Sequence, residues 1–205
     1  LGRVDIERPV IAFITDTTGL MNLTWYLDML KNPLDTVKKE SLRFFVNRIT
    51  INDGRFALLN RKGPPGKALL DFRNLHLSDL NADVKNLRVR GDSTVLEIND
   101  VRFGESKGFH VRSMKSDLTL ARKEILFGDL FMNLDSSIIN AEQVLLSGHE
   151  SEGFRNFNEN VRLDIRLEKS LVSASDLRYF LSAAGGLNEA VELSGRISGT
   201  VSDLN

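Results

Sequence analysis

Apolar and polar residues alternate along most of this chain with a period of two. The cleanest run is Val161 to Glu168, where Val161, Leu163, Ile165 and Leu167 take turns with Arg162, Asp164, Arg166 and Glu168. Successive strand side chains point to opposite faces of a sheet, so the run predicts a strand with one apolar face and one wet face. Weaker copies recur from Phe44 onward: Leu75 and Leu77, Leu87 and Val89, Leu96 and Ile98, Val101 and Phe103, Leu118 and Leu120, Ile125 and Phe127, Leu130 and Met132. Turn residues separate them at Gly91-Asp92, Gly104 to Gly108, Arg122-Lys123 and Asp135-Ser136. Strands of about ten residues arriving every ~10 to 14 residues predict an antiparallel up-and-down meander.

The parity slips by one residue at Val46 to Ile49, Phe72 to Leu75, Val84 to Leu87, Ile98 to Val101 and Ala141 to Val144. Asn47, Asn74, Asn86 and Asn99 stand beside four of these slips. One extra residue is what a β-bulge inserts, and bulges bend and twist a sheet, so strong curvature is expected. Asn52-Asp53-Gly54 between two alternating runs predicts a hairpin turn. The alternate glycines Gly195 and Gly199 predict a close backbone approach or a tight bend.

The period changes twice. Leu20, Leu23, Leu27 and Leu30 are spaced for one helix face before Asn32-Pro33, predicting a helix near residues 18–31. Ser173-Ala174-Ser175-Asp176 offers a capping box, and Leu177, Phe180, Leu181 and Ala184 share a face before Gly185-Gly186, predicting a second helix near 174–184. Arg61 to Lys67, with Pro64-Pro65, reads as an exposed loop. The pattern is already running at the first residues and still running at the last. The expectation is therefore one β-rich domain over residues 1–205, part of a longer repetitive β-groove protein.

The formal net charge of -1, with both signs interleaved, lacks the basic stripe that a nucleic-acid partner requires. No cysteine is present, which excludes disulfides and thiolate metal sites. No apolar run approaches the ~20 residues that span a bilayer as a helix. Catalytic signatures are also missing. His76, His110 and His149 are scattered, and no metal-ligand spacing accompanies them. Gly63-Pro64-Pro65-Gly66-Lys67-Ala68 lacks the spacing and the amides of a phosphate loop, and Ser113-Met114-Lys115 is one residue short of Ser-x-x-Lys. The chain is therefore expected to have no enzymatic activity, no metal and no cofactor.

Some ten strands each present several large apolar residues on one side, and two short helices cannot cover them. The sheet must fold into a sandwich, close into a barrel, or remain an open gutter whose inside takes up an apolar ligand.

The segments Asn74-Leu75-His76-Leu77, Asn86-Leu87-Arg88-Val89, Glu105 to Phe109, Asp135-Ser136-Ser137, Ser173 to Phe180 and Leu193 to Gly199 resemble the AsmA and TamB envelope proteins, most nearly the large TamB-like proteins of Bacteroidetes-type bacteria. The likeness runs from about Leu42 to Leu204. It implies an elongated, curved and twisted antiparallel β-sheet gutter with a hydrophobic interior and two short α-helices. It also implies a place in the periplasm and cell envelope of a Gram-negative bacterium, with an inner-membrane anchor outside this chain, and a part in phospholipid movement and outer-membrane biogenesis.

The expected ligand is phospholipid or another acyl lipid. Candidate groove-lining residues are Leu75, Leu77, Leu87, Val89, Val101, Phe103, Leu118, Leu120, Val161, Leu163, Ile165 and Leu167. The same residues forming an ordinary dry core is the competing explanation. An alternative function is a scaffold for outer-membrane protein assembly, whose strand edges would pair with a barrel partner. A β-sandwich adhesion or carbohydrate-binding module is weaker, because solvent-facing aromatics are few.

Overall fold

Alternation commits the chain to strands, and a computed structural model describes residues 2–22, 43–62, 70–71, 73–149, 160–180, 189–200 and 203–204. The strands are β1 (Arg3–Glu7), β2 (Val10–Thr15), β3 (Arg43–Asn60), β4 (Asn74–Arg90), β5 (Ser93–Glu105) and β6 (His110–Leu120). They continue as β7 (Glu124–Leu134), β8 (Ile138–Ser147), β9 (Arg162–Ser173), β10 (Ala190–Thr200) and β11 (Asp203–Leu204), with the short helix α1 (Ala174–Leu177) after β9. All lie in one sheet, ordered β1-β3-β4-β5-β6-β7-β8-β9-β10-β11, with β2 beside β3. The protein is mainly β, an open, curved, mostly antiparallel meander, and its first and last strands do not meet.

Each described strand contacts its sheet neighbours, and α1 contacts β9. Bulges supply the curvature. Register shifts occur at Asn99 between β5 and both its neighbours, around Asn86 between β4 and β5, and around Glu142 between β8 and β9. At Val46 to Ile49 the register between β3 and β4 continues unshifted, because the slip at Asn86 lies opposite and compensates it. The slip expected at Phe72 to Leu75 falls at the start of β4, and Phe72 lies outside the described residues. Among the described residues, four of the five non-glycine residues with positive φ are Asp53, Asp79, Asn86 and Asp129, the residue types that best tolerate this conformation.

Several expectations change. Asn52-Asp53-Gly54 is not a hairpin but a bulge inside the 18-residue β3. Asp53 takes the positive φ of 52°, while Gly54 is buried where an added Cβ would stand 3.0 Å from Ile51 Cγ2 and 3.2 Å from Pro9 Cγ. The opening segment is two strands broken at Arg8-Pro9, and both run parallel to β3, giving the meander a parallel edge.

The helix expected near 18–31 lies largely outside the described residues. Its beginning is instead a turn in which the Asp16 carboxylate accepts from Thr18 N and Leu20 N. The helix expected near 174–184 is described only over Ala174–Leu177, followed by a turn to Phe180. Its capping box is not reciprocal, because Ser173 Oγ accepts from Ser175 N while Asp176 reaches Ser136 N instead. Gly195 has open space around its Cβ position, so it marks the register shift after Leu193 and not a close approach. Residues 63–67 of the predicted loop lie outside the described residues.

Candidate functional site

Cross-strand pairing sorts the alternating residues into two faces. One row runs Phe44, Val89, Thr94, Leu120, Ile125, Leu146, Leu163 and Gly199 by direct partnership across eight strands. Beside it run Leu96, Leu118, Phe127, Val144, Ile165 and Ile197. Further along the strands come Ile51, Ala82, Val101, Met114, Met132 and Ile139, and beyond them Phe103, Val111 and Leu134. Among the paired positions of this face, Glu105 carries the only ionisable side chain. It is buried at a turn, where its carboxylate accepts from Ser106 Oγ at 2.8 Å and Lys107 N at 2.6 Å.

The opposite face is charged and wet. Arg48 grips the Asp83 carboxylate through two hydrogen bonds of 2.7 and 2.9 Å, and Arg196 grips Asp164 at 2.9 and 2.7 Å. These guanidinium hydrogen bonds hold both carboxyl groups below their ordinary pKa. Arg166 pairs with Glu142, and Lys169 with Glu192.

One end of the apolar face is covered. Leu70, Phe109, Val111, Leu134 and Tyr179 form a buried cluster, with Leu75, Phe103, Met114 and Met132 packed against it. The Phe109 ring meets Tyr179 and Phe180 edge-on at 5.4 Å each. Three polar contacts fix this cap: Tyr179 Oη donates to Gly108 O at 2.8 Å, Ser136 N to Asp176 Oδ2 at 3.0 Å, and Ser173 N to Ser137 Oγ at 2.9 Å. The Asp135-Ser136-Ser137 step and the Ser173 to Asp176 stretch, separate in sequence, are thus one locking element.

The other end differs. Leu118, Leu120, Ile125, Phe127, Val144, Leu146, Leu163 and Ile165 are all half-buried, shielded at their flanks by neighbours on the same face.

The register places eleven of the twelve sequence-predicted residues on this one face. Leu75 and Phe103 pack under the cap, Leu77 and Val101 lie on the rows leading to it, and Leu87, Val89, Leu118, Leu120, Leu163, Ile165 and Leu167 lie toward the open half. Val161 is the exception: it precedes β9 and is fully buried, so it belongs to the dry core. Phe44, Ile125, Phe127, Val144 and Leu146 complete the open half; their alternation was visible, and only the register joins them to it.

His110 Nδ1 lies 2.7 Å from Asp135 Oδ2, whose other oxygen is held by Arg112 at 3.0 Å. A shallow depression beside them is lined by Asp79, Asn81, Arg102, Phe103, Gly104, His110, Val111, Arg112 and Asp135, with no serine, threonine or cysteine among these residues to act as a nucleophile. Among the described residues no group of three His, Asp or Glu side chains is placed to hold a metal ion, and no helix is long and apolar enough to cross a membrane. No protein-family model, curated protein or solved structure matches the chain.

Proposed function

We propose that the protein binds acyl lipid along the half-open apolar face of its sheet, as a non-enzymatic, lipid-conducting segment of an AsmA- or TamB-like envelope protein. One observation carries this reading: a continuous apolar face, uncharged at every paired position but Glu105, crosses eight strands from Phe44 to Gly199, and its side chains around Leu163 are only half-buried. Apolar surface on that scale marks a binding surface in a protein that stays soluble. Each methylene exposed to water costs about 0.8 kcal/mol, so a chain lying on Leu120, Ile125, Leu146 and Leu163 stays dry while its headgroup remains in water. The Tyr179 cluster closes one end of the groove.

The test is mass spectrometry of organic extracts of the purified protein, together with crosslinking from a photoreactive residue replacing Leu163. Co-purifying lipid and a lipid adduct at position 163 are expected. A lipid-free protein whose position 163 is inaccessible to solvent would overturn the reading.

A further inference from the structure

β3 and β4 end beside the open half of the groove with a charge arrangement that strand pairing does not explain. Arg43 and Arg90 are direct cross-strand partners, and like charges set opposite one another destabilise a sheet. Arg88 lies two residues away on the same face, with its guanidinium carbon 5.7 Å from the centre of the Phe45 ring. Arg43 and Arg90 take part in none of the ion pairs or side-chain hydrogen bonds of the described residues. The acid nearest Arg90 along the chain, Asp92, is engaged by Arg122 at 3.1 Å. Phe44 and Phe45 stand beside these cations with 41% of their surface exposed.

These residues, with Val89 and Gly91, line one cavity of about 710 Å³. Phe44 and Val89 belong to the apolar face, whereas Arg43, Phe45, Arg88 and Arg90 belong to the charged face. The cavity therefore wraps the end of the sheet. Its apolar wall continues into the row that runs through Leu163 to Gly199, and its polar wall has three guanidinium groups and, among the described residues, no carboxylate. A local rule broken at the mouth of a groove points to function. Guanidinium forks match phosphate oxygens in geometry and charge.

We propose that this end is a headgroup site: Arg43, Arg88 and Arg90 receive the phosphate of an anionic amphiphile whose alkyl chain enters the groove over Phe44 and Val89. It rests on the groove reading above and adds a location and a preference for phosphate monoesters over zwitterionic heads.

Calorimetric titration with decyl phosphate, decylphosphocholine and inorganic phosphate, the amphiphiles below their micellar concentrations, tests it. Decyl phosphate is expected to bind at least about tenfold more tightly than decylphosphocholine, the size of effect that charge-assisted hydrogen bonds supply. The double substitution Arg43→Gln with Arg90→Gln removes that preference, so that decyl phosphate binds no more tightly than decylphosphocholine. Arg43→Glu, which sets opposite charges across the pair and so favours the fold, removes it as well. Equal affinities in the unsubstituted protein, or a preference that survives both variants, overturn the headgroup site and leave the groove standing. Binding of inorganic phosphate with neither amphiphile overturns both proposals, as does binding of none of the three.

Discussion

Tyr179 Oη donates a hydrogen bond to the carbonyl of Gly108 at 2.8 Å, joining residues 71 positions apart. The same tyrosine is buried in the apolar cluster and accepts from Leu70 N through its own carbonyl at 3.0 Å. It therefore closes one end of the sheet by packing and by hydrogen bonding together. Tyr179→Phe is expected to cost about 1 kcal/mol for the lost bond, and Tyr179→Ala about 3 to 5 kcal/mol for the cavity as well. Urea unfolding of the two variants separates the contributions.

Buried and half-buried positions of the face should respond differently to the same truncation. Leu130 is 6% exposed, and Leu130→Ala is expected to cost roughly 3 kcal/mol. Leu163 is only half-buried, and Leu163→Ala is expected to cost about 1 kcal/mol. Equal losses in urea titrations would mean that position 163 lies under a packed layer.

Asp129 holds a positive φ of 46° at a bulge, and its side chain is exposed. Asp129→Gly should leave stability unchanged or raise it slightly, because glycine enters this conformation without a Cβ clash. Asp129→Val is expected to cost about 1 to 2 kcal/mol by thermal unfolding. If the two variants melt alike, the bulge does not hold the backbone in that conformation.

Acid should weaken the charged face. Hydrogen bonds from Arg48 and Arg196 lower the pKa of Asp83 and Asp164 in the folded protein. A carboxyl lowered on folding adds stability that is complete above its unfolded pKa, about 3.9, and is lost as pH falls through the lower folded value. The urea midpoint is therefore expected to drop below about pH 4. Asp83→Asn combined with Asp164→Asn should lower stability at neutral pH and flatten that drop. Salt should shrink the difference, because Arg48 and Arg196 are largely exposed.

The alternation by itself determined the secondary structure and the division into an apolar and a charged face, because side-chain parity is a local property of any strand. It also located the bulges at Asn86 and Asn99, since an extra residue shifts the parity of everything after it.

The tertiary structure decided whatever depends on a distant partner. Asn52-Asp53-Gly54 predicts a hairpin by its residue types, yet a bulge uses the same Asp at positive φ. The choice fell to β4, which pairs with β3 on both sides of the bulge. The parallel edge formed by β1 and β2, the meeting of Ser136 with Asp176 across 40 residues, and the facing of Arg43 and Arg90 are of the same kind. Each needs a register between segments far apart in the chain. No periodicity within one segment encodes that register, so which apolar residues are sealed under Tyr179 and which are half-buried around Leu163 emerged only from the fold.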